Sequence, residues 1–299
     1  MIRSPLFLPP ARSGREPVKY KTCIITGATA GIGLQTATRL GLLGARLLLV
    51  GRNRRKGEAA LAQLRAKVPG LAVKMYYADL SQADEILRLV AALLNDAGRI
   101  DVLVNNAGAI FARREAMPDG LEHTFALNHM GYFRLTALLR PRLIASAPAR
   151  IVNVASEAHR DAQLDFNDLQ LSTRYSGWTA YRRSKLANIL FTRELARQLG
   201  NTAVTVNCLH PGFVASDFGE NNRGIWRLGI KVAKRFGGIS VERGAETPVY
   251  LSSSPSVDEV NGKYFEDCRQ RAPSEAAQDD AAAARLWEKS EKLAGFRMP

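Results

Sequence analysis

Between Thr22 and Leu43 the chain passes from an apolar run, through a glycine-rich turn, into a segment of helical period. Thr22-Cys23-Ile24-Ile25 has the uninterrupted apolar, β-branched character of a strand buried on both faces. Thr26-Gly27-Ala28-Thr29-Ala30-Gly31-Ile32-Gly33 follows, and apolar residues then recur at helical spacing from Leu34 through Leu40 to Leu43. The strand-to-helix step repeats along the chain. Strands are expected at Ala45 to Val50, Ala72 to Tyr77, Val102 to Val104 and Arg150 to Ala155, with a helix from about Gln82 to Ala97. Later come a helix from about Val241 to Leu251, a strand near Lys263 to Phe265 and a closing helix from about Asp279 to Leu293. Alternation of this kind predicts an α/β fold: a doubly wound parallel sheet of about seven strands with helices on both faces, in a single domain.

The glycine turn carries a chemical implication. Glycines let the backbone bend sharply and approach an anion, and a helix that opens there offers unpaired N–H groups. Gly27, Thr29, Gly31, Ile32 and Gly33, spaced as G-x-x-x-G-x-G, are therefore candidates to hold the pyrophosphate of a dinucleotide. The second strand ends in Gly51-Arg52-Asn53, where an acid would hold the ribose hydroxyls of NAD. A guanidinium clamps a 2′-phosphate instead, so NADP(H) is expected ahead of NAD(H), with Arg52 as its main contact and Asn53 beside it. Arg54, Arg55 and Lys56 read largely as a solvated basic loop. Asp79-Leu80 closes the third strand, the acid placed to accept from an adenine amino group. Asn106, Ala107 and Gly108, after the fourth strand, suit the crevice where a cofactor crosses such a sheet.

The segment Trp178 to Leu199 reads as one long helix, with Tyr181 and Lys185 on one face. A phenol titrates near ~10 when unperturbed. An ammonium beside it favours the phenolate, which would fit Tyr181 to exchange protons with a carbonyl or alcohol oxygen. On its own this pair is also an ordinary helix-surface pairing.

Taken in order, the glycine turn, Asn105-Asn106-Ala107-Gly108, a serine after the fifth strand, Tyr181/Lys185 and Pro211-Gly212 resemble the short-chain dehydrogenase/reductases, over roughly residues 20 to 295. The runs Leu127 to Thr136, Val152 to His159, Ser184 to Leu195, Asn207 to Gly212 and Gly262 to Cys268, with Leu286 to Glu288, are similar to the retinol dehydrogenase-like branch. The resemblance implies a Rossmann-type sheet and reversible carbonyl reduction of lipophilic aldehydes or ketones with NADP(H). It assigns Tyr181 as acid/base and Ser156 as the hydrogen-bond partner of the substrate oxygen. Lys185 would lower the Tyr181 pKa and hold the nicotinamide ribose, and Asn128 would fix a water that links Lys185 to solvent. Pro211, Gly212, the Val214 backbone and the Ser216 hydroxyl would hold the nicotinamide amide. The family more often has threonine at Ser216, and Ala30 stands where NADP-preferring members often carry a base. Arg52 is thus the main warrant for NADP. The alternative is a catalytically silent NADP(H)-binding redox sensor or interaction module on the same fold.

A net charge of +14 over 299 residues admits anionic partners, yet no nucleic-acid motif is present. Cys23, Cys208 and Cys268 are odd in number and lie in strand-like stretches, as reduced buried thiols do, and no metal-ligand spacing is found among them or the four histidines. Residues 1–19, with Pro5, Pro9, Pro10 and Pro17, read as a flexible lead-in whose apolar run is too short for a signal peptide or membrane span. A cytoplasmic location is expected. Residues 213–240 read as a substrate lid; within it, 224–236 is a basic amphipathic helix suited either to wall an apolar pocket or to touch an anionic membrane. In the family it resembles, dimers through the two long central helices are common, while some retinol-type members associate differently, so a homodimer is one of the expected states.

Overall fold

The computed structural model describes residues 18–212 and 239–298. Its centre is a sheet of eight strands in the order β3-β2-β1-β4-β5-β6-β7-β8. These are β1 (Thr22–Thr26), β2 (Arg46–Gly51), β3 (Val73–Tyr77), β4 (Val102–Asn105), β5 (Ala149–Val154), β6 (Val204–Leu209), β7 (Tyr264–Glu266) and β8 (Arg269–Arg271). All pair in parallel except β7 with β8. Chain direction across the sheet reverses between β1 and β4, and that switch opens a crevice at the carboxyl ends of those strands.

Alternate strand residues feed two cores. Ile24, Leu48, Leu103, Ile151 and Val206 pack on one face with Leu93, Phe133 and Leu190. Ile25, Leu47, Val104, Val152 and Leu209 pack on the other with Ala37, Leu40 and Leu64. Each fully buried side chain of this size stabilises by about 1.5–3 kcal/mol, which explains why the central strands are apolar throughout instead of alternating. The covering helices include α1 (Gly31–Leu42), α2 (Arg54–Lys67), α3 (Ala83–Asp96), the short α4 (His123–Phe125), α5 (Gly131–Ala145) and α6 (Gly177–Leu199).

The eighth strand is an addition to the expected sheet. It is a three-residue, fully exposed edge whose arginines discourage further strand pairing. Asp267 and Cys268, at φ 45 and 59°, form the two-residue turn that joins it to β7, both in the left-handed region such a hairpin needs. Cys268 is therefore a half-buried turn residue, unlike Cys23 and Cys208, which lie buried in strands as expected. The helix expected over 241–251 is two helices, α7 (Val241–Gly244) and α8 (Glu246–Ser253). Pro248 falls within the first turn of α8, where its missing N–H costs no helical bond. The closing helix, α9 (Asp280–Ala294), begins one residue late because the Asp279 carboxylate accepts from Ala282 N at 2.9 Å as its cap.

Within the expected lead-in, Val18 is buried and belongs to the second core, and residues 1–17 lie outside the described residues. So do Val214, Ser216, the 224–236 helix and nearly all of the expected lid. No helix among the described residues is long and apolar enough to cross a membrane.

Candidate active site

The two lips of the crevice are tied by hydrogen bonds. Thr26 Oγ1 accepts from Asn106 N at 2.9 Å and Ala107 N at 3.0 Å, while Asn106 Nδ2 donates to Thr26 O at 2.8 Å and Gly27 O at 3.3 Å. Asn106 is expected to touch a cofactor; its side chain instead holds the glycine turn in place. Gly27 sits at φ 66°, and a Cβ there would lie 2.8 Å from Ala107 Cα. At Gly33 it would lie 2.3 Å from Gly27 O. The N-cap of α1, Ala30, supplies no side-chain cap, and no acid stands in the first turn. The first N–H groups of α1 are thus left for an anion from outside the helix. A dinucleotide pyrophosphate fits this cradle.

The outer rim differs from expectation in detail. Arg52, with its side chain 59% exposed, pairs with Asp79 at 3.1 Å. Asp79 also accepts from Ser81 N at 3.0 Å and Ser81 Oγ at 2.6 Å. Burial opposes ionisation of this carboxyl, but the Ser81 and Arg52 hydrogen bonds outweigh it and hold its pKa below the usual range. The acid expected at the adenine and the base expected at the 2′-phosphate therefore hold each other. Asn53 caps α2, its Oδ1 accepting from Lys56 N at 2.9 Å. Leu80 buries its side chain in the core, which leaves only its backbone for a ligand. Gly51 allows the turn to close, because a Cβ there would sit 2.3 Å from Thr29 Cγ2.

The four expected catalytic residues converge beside the crevice. Asn128 lies in a π-helical turn (Ala126–Met130) between α4 and α5, a distortion common at functional positions. Its Oδ1 accepts from Ala109 N at 2.9 Å, and its Nδ2 donates to Ala109 O and Ser184 Oγ, both at 2.9 Å. Ser184 in turn donates to Tyr181 O at 2.7 Å. Gly108 joins site and crevice, since a Cβ there would meet Asn128 Oδ1 at 3.3 Å and Lys185 Nζ at 3.4 Å. A hydrogen bond links the Tyr181 phenol to the Ser156 side chain. Pro211 and Gly212 follow β6, with Gly212 N donating to His210 Nδ1 at 3.1 Å.

The expected lowering of the Tyr181 pKa by Lys185 is not what the structure shows. Burial pushes Tyr181 up to about 12 against the opposing Ser156 hydrogen bond, and burial pushes Lys185 down to about 7. Lys185 Nζ lies 5.7 Å from the Tyr181 ring centroid and donates to Val154 O at 2.9 Å. Desolvation thus dominates both groups. The sign for stability follows directly. With Lys185 at about 7 in the fold and near 10.5 when unperturbed, the unfolded chain binds more protons between those values, so stability rises with pH across that window. Denaturant titrations at about pH 7 and about pH 8.5 should show the wild type gaining stability relative to Lys185→Met.

Three residues of the site escaped sequence reasoning. Tyr132, fully buried on α5, donates to the same Val154 O at 3.4 Å, with its ring 5.9 Å from Lys185 Nζ. Ser184 bridges Asn128 to α6; its only sequence signal is its place beside Lys185. His159 hydrogen-bonds Ser156 O through Nδ1 at 2.7 Å and accepts from Ser274 N at Nε2, 3.1 Å. Accepting at Nε2 puts the proton on Nδ1, and burial keeps the ring neutral by lowering its pKa. His129 is a core residue, bonded to Ser290 Oγ at 2.8 Å and pushed by burial to about 3.

Comparison with known proteins gives a consistent result. The family described as short chain dehydrogenase matches residues 21–224. Retinol dehydrogenase 13 of Homo sapiens is 39% identical over 290 residues, covering 95% of this chain and 88% of that protein. Dehydrogenase/reductase SDR family member 13 of Bos taurus is 40% identical over 293 residues, covering 96% and 76%. A crystal structure of an uncharacterised protein from Mycobacterium paratuberculosis superposes with a TM-score of 0.76 at 30% identity, over 95% of this chain and 97% of that one.

Proposed function

The chain belongs to the short-chain dehydrogenase family, in its retinol dehydrogenase-like branch, and is an oxidoreductase of alcohol and carbonyl groups; from that premise we propose that it reduces a lipophilic aldehyde or ketone with NADPH. The observation that carries the mechanism is the meeting of Asn128 and Lys185 at Gly108, with the Lys185 ammonium beside the Tyr181 ring and the Tyr181 phenol hydrogen-bonded to Ser156, next to a cradle suited to a dinucleotide. The relatives' names speak of retinol, and this supports a lipophilic substrate here.

In this reading the bound nicotinamide supplies the hydride. The Ser156 hydroxyl orients the substrate oxygen and steadies the charge developing on it. Tyr181 delivers the proton at its phenol oxygen. A phenol held near 12 is fully protonated at neutral pH, a state that suits it as the acid of carbonyl reduction. With the cofactor bound, Lys185 would leave Val154 O to hold the ribose, and Asn128 would fix a water behind it for proton supply. Gly27, Gly31 and Gly33 with the α1 N-terminus would hold the pyrophosphate beside Thr29 and Ile32, and Pro211 and Gly212 would hold the nicotinamide.

Arg52 takes the 2′-phosphate by leaving Asp79, an exposed ion pair worth only ~0–1 kcal/mol. Arg52→Ala should weaken NADPH binding by roughly tenfold to a hundredfold, the loss of one or two charge-assisted contacts, and leave NADH binding unchanged. Equal effects on both cofactors, read by equilibrium fluorescence titration, would refute the NADP assignment. The whole reading is tested by incubating the protein with NADPH or NADH and a panel of lipophilic aldehydes. The silent-sensor alternative predicts cofactor binding with no turnover. A homodimer, and contact of residues 224–236 with anionic membrane, extend the same proposal; light scattering and liposome co-sedimentation address them.

A further inference from the structure

Four large apolar side chains are exposed among the described residues: Tyr20, Leu42, Leu87 and Trp178. Scattered surface residues of this kind are ordinary. Trp178 is not scattered. It lies one turn before Tyr181 on α6, 46% exposed, and stacks on the Tyr181 ring with centroids 5.8 Å apart and planes 26° from parallel. Helical side chains slant toward the helix N-terminus, so the Tyr181 ring reaches back toward the turn that Trp178 occupies. The position is also rigid. Gly177 abuts the loop after β4 so closely that a Cβ would lie 2.2 Å from Phe111 O, and the Tyr175 hydroxyl donates to that same carbonyl at 2.8 Å. The backbone that carries the indole is thus held in place, and the indole is a flat, half-solvated apolar surface stacked on the Tyr181 ring.

We propose that Trp178 is a specificity-determining residue, forming a wall of the substrate site that favours planar, conjugated carbonyl compounds over flexible saturated ones of equal length. The assignment rests on the reading of Tyr181 given above. A fixed aromatic plate gains an offset stack from a flat partner, whereas a saturated chain offers less face and must give up torsional freedom to lie against it.

Cinnamaldehyde and 3-phenylpropanal share a carbon skeleton and differ by one double bond, so they isolate planarity. NADPH-dependent reduction of each is measured for the wild type, Trp178→Ala and Trp178→Phe. Trp178→Ala should lower kcat/KM for cinnamaldehyde by about tenfold, through KM, the scale of one lost aromatic stack. For 3-phenylpropanal the change should stay within about twofold, the phenylalanine variant should fall between, and NADPH affinity should not move. Parallel losses on both aldehydes, or none on either, overturn the role of Trp178 and leave the oxidoreductase reading standing. A wild type that binds NADPH but reduces neither aldehyde nor any other carbonyl compound overturns both.

Discussion

Tyr181→Phe should cost about 10³-fold or more in kcat for carbonyl reduction and leave NADPH affinity within about twofold. The substitution removes one oxygen from a ring that is 8% exposed and stacked on Trp178. Its phenol oxygen is hydrogen-bonded to Ser156 and, in the proposed mechanism, delivers the proton to the substrate. Phenylalanine keeps the stack with Trp178, so the fold and the wall of the site persist while the proton donor is gone. Ser156 still orients the substrate oxygen, but no other protein group is assigned to protonate it. Turnover above about a tenth of wild type, measured by NADPH absorbance on purified protein, would show that another group supplies the proton and would sink the mechanism.

Gly33→Ala should damage both the fold and the cofactor cradle. The new Cβ would stand 2.3 Å from Gly27 O and 2.5 Å from Asn106 Nδ2. Neither neighbour can retreat cheaply. Gly27 is fixed by the turn, and Asn106 is the donor that binds the lips of the crevice. Overpacking of this kind costs about 1–3 kcal/mol, a fall of roughly 2–5 °C in Tm for a domain of this size. NADPH affinity should drop further, by about a hundredfold, because the displaced atoms form the floor under the pyrophosphate. Gly98→Ala is the control: nothing lies within 4 Å of the added methyl, and both quantities should stay put. Comparable losses in the two variants would mean that the crevice is not built as described.

The sheet and its switch point were legible because their signals are local. Thr22 to Leu43 announces strand, turn and helix through apolar period and glycine placement, and the structure follows it to within a few residues. The short β8 offers no such period: three exposed polar residues become a strand only because β7 lies beside them. Convergence of Asn128, Ser156 and the Tyr181/Lys185 pair came from the family resemblance, not from spacing, since they lie on three separate segments. Helical spacing correctly put Tyr181 and Lys185 on one face. It could not reveal that both are desolvated, or that Val154 O competes for the ammonium. For the same reason the Arg52–Asp79 pair was hidden, its partners being 27 residues apart.

His159 ties together stretches of chain that lie far apart in sequence. Its Nδ1 meets Ser156 O, and its Nε2 accepts from Ser274 N, 115 residues further on. The turn that holds Ser156 therefore takes its final form only once Ser274 has been made and has packed against it, so a nascent chain can close the glycine cradle, whose residues end at Gly108, before that turn is locked.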